Sequence, residues 1–393
     1  MSVHGNKTAD ILILGAGVMG ASIAFHLAQR KAGKIFVIDK DHVGRGGSGR
    51  SSALIRMHYS FAPEVQLALV SLKMFERWEE LVGEATLFQK TGFVRIVHPN
   101  EMERLRLNVE MQRRLGVNVR LISRQDLQQL EPDWMVGEVE FAAYEPDSGY
   151  GDGAGVASDF LARARDHGVC YLPRTQAISI QKEGDHVRSV TTNYGDIDSP
   201  VVIAATGPWT RPLLQEVGCD LPIETEYHQV AILKNALDMR GGGCACIDSG
   251  TQTYFRPDGS DKFLVGDFYG ERGPVDPDNF PQRASEESME AVIERACHRI
   301  PKLANAEVMR GVTGVYDMTP DSRPLLGEIP GITGLYVCAG FSGMGFKISP
   351  AVGLVMSELI VDSIAKTVDI TAFRPKRFAE RNPIKAEHEY VDD

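Results

Sequence analysis

The stretch that most constrains this chain is Ile11–Leu14 followed by Gly15-Ala16-Gly17-Val18-Met19-Gly20. Four aliphatic residues stop at a glycine. Ala21, Ala24, Phe25 and Ala28 then recur at helical spacing up to Gly33, and a second apolar run from Lys34 to Ile38 ends at Asp39. Strand, helix and strand in this order make the βαβ unit of a parallel sheet, and strands without polar alternation are buried on both faces. The glycine offsets have separate reasons. Gly15 permits the tight turn, Gly17 lets backbone approach a pyrophosphate, and Gly20 lets helix and strand pack closely. Ala16, Val18 and Met19 belong to a helix N-terminus whose free N–H groups and partial positive charge suit phosphates. Asp39, with Lys40 beside it, stands where an acid takes a ribose hydroxyl. These features predict a dinucleotide site and leave open flavin or nicotinamide.

Composition narrows the function class. The chain has 393 residues and a net charge of −11, with no basic cluster, which disfavours a nucleic-acid partner. Glycine, at 39 residues, is in excess over the usual 7% or so. Residues 11–28 are long and apolar enough to resemble a membrane span or signal peptide, but the spaced glycines and the missing cleavage pattern argue otherwise. A soluble, cytoplasmic protein without a membrane span is expected. The six cysteines show no disulfide rhythm and read as reduced; Cys244 and Cys246 lack a second ligand pair, so no metal site is expected.

Further along, periodicity predicts helices over 63–82, 101–115, 154–167 and 285–300, the last opened by a Ser/Glu cap. Strand patterns cover 139–144, a hairpin over 178–192 turning near Gly184, a buried strand over 201–205, and most of 223–268, including a hairpin turning at Asp258-Gly259. A strand over 335–339 leads into a helix running to about 364, with Pro350 in its first turn; past Pro375 the tail is charged and expected to be mobile at its end. The expected class is α/β with an α+β second domain. A Rossmann-type dinucleotide domain (1–60, 151–217, 320–375) interleaves with a sheet-rich substrate domain (61–150, 218–319), and 376–393 is a tail.

Two glycine-rich segments point to flavin. Residues 45–56, Arg-Gly-Gly-Ser-Gly-Arg-Ser-Ser-Ala-Leu-Ile-Arg, offer Gly47 and the hydroxyls of Ser48, Ser51 and Ser52 close after the acid. A surface loop is the plain alternative. The segment 319–353 places Gly340, Ser342, Gly343, Met344 and Gly345 between a strand and a helix N-terminus, where amides can meet a developing negative charge. Lys347 sits there among Phe341, Phe346 and Ile348.

Taken in order, Gly15–Gly20 with Asp39, the 47–56 loop, Tyr144–Asp152, the Ala204–Trp209 strand end with Gly207, and the 319–347 block resemble the glycine and D-amino-acid oxidase (DAO) family of FAD enzymes, in its sarcosine oxidase, dimethylglycine dehydrogenase and proline dehydrogenase branch. The resemblance implies oxidation of a secondary or tertiary amino acid by hydride transfer to flavin N5 and then imine hydrolysis. It implies a small-molecule amine substrate and O2 or a carrier protein as electron acceptor. It places the substrate carboxylate on Arg56 and Lys347, Tyr316 near the flavin, and Ala177 by the adenine. His58 and Tyr254 are further catalytic candidates; His228, Arg256 and Arg323 are weaker pocket residues. Gly314 stands where monomeric sarcosine oxidases carry a flavin-linking cysteine, and the 45–56 loop has no histidine, so non-covalent FAD is expected. Leu264 replaces a lysine associated with oxygen reduction.

Overall fold

The computed structural model describes residues 7–234, 243–270 and 274–390. Its centre is a six-stranded sheet. β1 (Ile11–Leu14), helix α1 (Val18–Gln29) and β2 (Ile35–Ile38) form the expected unit, joined by β3 (Cys170–Leu172), β4 (Val201–Ala204), β5 (Leu325–Glu328) and β6 (Leu335–Ala339). The spatial order is β3-β2-β1-β4-β6-β5, parallel except for β5. Alternation along each strand divides two cores. Ile11, Ile13, Ile35, Val37 and Ile203 face helices, whereas Leu12, Leu14, Phe36, Ile38, Val202 and Ala204 face an antiparallel sheet carrying Ile180, Val187 and Val190. Both faces are covered, which is why β1, β2 and β4 contain no polar residue.

The helical face carries α1 together with α2 (Ala62–Glu76), α4 (Gly153–Asp166) and α5 (Gly345–Asp362), while α3 (Met102–Arg114) lies over the second sheet. That second sheet has eight strands, drawn from residues 93–145 and 224–318. It is antiparallel except where Ala245–Asp248 runs parallel to Phe93–Ile96. The α/β class with a sheet-rich second part is therefore the observed architecture. Within the 223–268 stretch expected as strand, residues 235–242 lie outside the described residues.

Four local expectations are corrected. The helix expected over 63–82 breaks at Arg77, because Trp78 turns inward to donate its indole N–H to Asp159 Oδ2 (2.9 Å) and to pack edge-on against Phe160. Pro350 is not in the first turn of its helix: α5 starts at Gly345, and the chain compensates for the missing N–H. Ser349 donates its hydroxyl to the Phe346 carbonyl that Pro350 leaves open, and Ala351 N–H donates to Ser71 Oγ (3.1 Å). Ser285 does cap its helix, but on Ser288 N–H and without the glutamate of a capping box. The tail, expected to be mobile at its end, is packed as far as Tyr390. Arg377 is fully buried and binds Asp321 with two 2.8 Å bonds, so its charge is paired inside the fold. The tail's extreme end, 391–393, lies outside the described residues. Among the described residues no helix is long and apolar enough to cross a membrane.

Candidate active site

The carboxyl ends of β1, β2 and β4 open into a cleft of about 880 Å3. Gly15 turns the chain at φ +101°, and a Cβ there would meet the Ala205 carbonyl oxygen at 2.4 Å. A Cβ on Gly20 would lie 1.9 Å from the Gly15 carbonyl oxygen, so both glycines are demanded by backbone meeting backbone. Ser48 reaches across from the 47–56 loop, and its hydroxyl accepts from Val18 N–H at 3.0 Å, the first residue of α1. Asp39 accepts from Ala16 N–H (2.7 Å) and Asp41 N–H (2.8 Å), bracing the turn while it lines the cleft; burial raises its carboxyl above the usual range. His26, inside α1, is driven to about 4 by burial, so the apolar run that holds it carries no charge.

Most cofactor candidates share this one cavity. Gly15, Gly17, Val18, Met19, Asp39, Lys40, Gly47, Ser48, Ser51, Ala177, Gly207, Gly343, Gly345 and Tyr316 line it. Ala16, Gly20, Ser52, Gly340, Ser342 and Met344 stand behind that lining. The Ser52 carbonyl accepts from Arg256 Nε (2.6 Å), Ser342 Oγ accepts from Thr319 N–H (3.1 Å), and Met344 N–H donates to the Phe341 carbonyl (2.9 Å). Lys40 forms an ion pair with Asp278 and lies 3.8 Å over the Trp209 ring, bridging the two sides of the cleft.

Of the substrate candidates Tyr316 lines the cleft, whereas Arg56, His58, Tyr254 and Lys347 are not part of its lining. Tyr254 lies across Gly266, where a Cβ would strike its ring at 2.1 Å, and burial raises its hydroxyl well above the usual tyrosine range. Tyr316 stacks on His228 with ring centroids 3.9 Å apart, and its ring fills the space a Cβ on Gly343 would need. Lys347 is 6% exposed; among the described residues its Nζ hydrogen-bonds the Gly343 carbonyl alone, at 3.4 Å. Burial holds the Lys347 amine well below the usual lysine range, and the nearby Arg56 guanidinium pushes the same way. Arg56 bonds the His58 carbonyl and faces the Tyr59 ring at 4.5 Å, while its Nε is buried without an acceptor. Among the described residues neither cation has a carboxylate at ion-pairing distance. Arg256 and Arg323, the weaker candidates, are paired with Asp258, and with Glu64 and Glu389.

Three further residues of this region were not singled out as site candidates from the sequence. Asp317 accepts from Gly340 N–H (2.6 Å) and lines the cleft, and burial raises its carboxyl to about 6. Glu145, fully buried, accepts from Met57 N–H at 2.9 Å. Tyr390 comes from the tail. Asp317 adjoins the Thr319-Pro320-Asp321 motif and was within reach of a sequence argument; the other two meet the site only through folding.

Comparison with known proteins adds an independent finding. A family model described as DAO, FAD dependent oxidoreductase, matches residues 10–359. The chain is similar to glycine oxidase of Geobacillus kaustophilus, 25% identical over 89% of this chain and 92% of that one. It is also similar to sarcosine oxidase subunit beta of an Arthrobacter species, 25% identical over 95% and 91% of the two chains. Among solved structures, L-proline dehydrogenase from P. horikoshii superposes with a TM-score of 0.90 at 27% identity, covering 97% of this chain and all of that one.

Proposed function

The chain belongs to the DAO family of FAD-dependent oxidoreductases, and from that premise we propose that it oxidises the C–N bond of a secondary or tertiary amino acid, an N-substituted glycine such as sarcosine, dimethylglycine or iminodiacetate. The observation that carries this reading is the pair Arg56 and Lys347. Arg56 has a buried N–H without an acceptor, burial and the Arg56 charge hold the Lys347 amine well below the usual lysine range, and among the described residues neither is ion-paired with a carboxylate, Glu64 and Glu145 acting on them only through their fields. A small carboxylate relieves both costs at once.

The cleft lining fits FAD. Gly15 and Gly17 leave backbone bare at a helix N-terminus, Asp39 and Ala177 stand at one end, and Gly343 and Gly345 clear the other beside Tyr316. With no cysteine at position 314 and no histidine in 45–56, these residues would hold it without a covalent bond. FAD, when bound, supplies the acceptor for the hydride lost from the C–N bond, and the imine product hydrolyses in water. The protein's part is orientation. Arg56 and Lys347 hold the carboxylate, which fixes where the α-carbon points. Arrival of that anion favours the charged form of Lys347, so binding should draw a proton onto its amine. Tyr316, stacked on His228, supplies a polar edge to the cleft lining.

A second reading concerns the electron acceptor. Leu264 is buried between Ile232 and Arg256 in its sheet and offers no charge, which favours a carrier protein over O2. The test of the main reading is anaerobic flavin bleaching by a panel of sarcosine, dimethylglycine, proline, iminodiacetate, glycine and D-alanine. N-substituted glycines should bleach fastest. Arg56→Ala and Lys347→Ala should each raise KM by at least about tenfold while FAD stays bound; unchanged kinetics in both would refute the assignment.

A further inference from the structure

We propose that residues 384–390 are part of the substrate site, where Tyr390, through its hydrogen bond to His58, holds Arg56 in position for the substrate carboxylate. The proposal rests on the assignment of Arg56 to that carboxylate.

The geometry forms a short chain of contacts. Among the described residues Arg56 makes one hydrogen bond, from its Nη1 to the His58 carbonyl, and its guanidinium faces the rings of Tyr59 and Phe93. The direction of the guanidinium therefore depends on where residue 58 is held. On one side Glu145 accepts from Met57 N–H, and its other carboxylate oxygen lies 3.8 Å from His58 Nδ1. On the other side the Tyr390 hydroxyl lies 2.8 Å from His58 Nε2, with the two rings stacked at 5.9 Å and 19°. Burial and the nearby Arg95 and Arg56 keep the His58 ring neutral, so the hydroxyl can donate to Nε2 while Nδ1–H faces Glu145.

Tyr390 is itself built in. It is 3% exposed, with the Arg95 guanidinium 4.9 Å from its ring. The segment that delivers it is clipped at three places: Ile384 N–H donates to Asp321 Oδ2 (2.8 Å), the His388 carbonyl accepts from Asn108 (2.9 Å), and Glu389 pairs with Arg323. A tail that only sealed a core would bring apolar side chains. This one brings a hydroxyl to an imidazole and a carboxylate to a guanidinium, which fix position as well as cover.

The test uses the FAD-loaded full chain, with acetate as a probe of the carboxylate site read by perturbation of the flavin spectrum. Tyr390→Phe keeps the ring and loses only the hydroxyl. It should weaken acetate by roughly 3- to 10-fold, the range for one buried hydrogen bond, and raise KM by a similar factor, with FAD content as in the parent. In the double variant Arg56→Ala/Tyr390→Phe the second change should add no further loss, because it acts through Arg56. Unchanged acetate binding in Tyr390→Phe, additive losses in the double variant, or loss of FAD from Tyr390→Phe each overturn the proposal. If acetate fails to bind the parent protein, or Arg56→Ala leaves it unaffected, the carboxylate assignment falls and this inference with it.

Discussion

Charge placed where water is scarce dominates the site. Among the described residues neither Lys347 nor Arg56 is ion-paired with a carboxylate, and burial with the Arg56 charge holds the Lys347 amine low, while Asp317 shows the opposite sign of the same problem. Its carboxyl, at 3.8 when exposed, rises to about 6 in the folded protein, chiefly through burial and despite the Gly340 N–H it accepts. A raised folded value means that the native state holds a proton the unfolded chain has released. The group's contribution to stability is therefore complete below pH 3.8 and is lost as pH rises through about 6. A shift of that size corresponds to on the order of 3 kcal/mol. Asparagine does not titrate and can still accept from Gly340. Urea unfolding of Asp317→Asn and the parent, without cofactor, should show the variant gaining on the parent between pH 5 and pH 7.5, and a gap that does not change with pH would show that Asp317 does not titrate there.

Elements meet the cofactor cleft through their ends, so the helix crossings behind them matter. The N-termini of α1 and α5 both open into the cleft, and the two helices cross where Gly353 faces Ser22. A Cβ on Gly353 would lie 2.0 Å from Ser22 Oγ and 2.6 Å from its carbonyl carbon, and backbone cannot yield as a side chain can. Gly353→Ala should cost about 1–3 kcal/mol by overpacking and loosen FAD binding, read together by thermal melting and by flavin retained on gel filtration. An unshifted melting temperature would mean that the helices separate freely. Pro350 shows the same economy of contact: Ser349 and Ser71 supply the hydrogen bonds that proline removes, so a residue expected near the helix start is carried inside it.

The molecule as a whole brings distant segments to one cavity, and some of these segments close over it. Lys40, at the end of the parallel sheet's second strand, pairs with Asp278, and Arg50 bonds Gln282 and lies 5.2 Å from the Phe280 ring, so residues 278–282 lie against the cleft. The Lys40–Asp278 pair is partly solvated, so Asp278→Ala should change stability by no more than about 1 kcal/mol; it should nonetheless hasten FAD loss on dilution, followed by flavin fluorescence. Equal release rates would show that the pair does not gate the cleft. The βαβ unit, its glycines, Asp39, the serine loop and the 340–345 turn were legible in the chain because each depends on local geometry: a turn needing positive φ, backbone too close for a Cβ, an apolar strand covered on both faces. Glu145 reaching Met57 across 88 positions, Tyr390 reaching His58 across 332, and Arg377 burying its charge on Asp321 leave no local trace. Their side chains read as ordinary surface chemistry until folding removes the water around them, and burial then makes a single partner decide where each one lies.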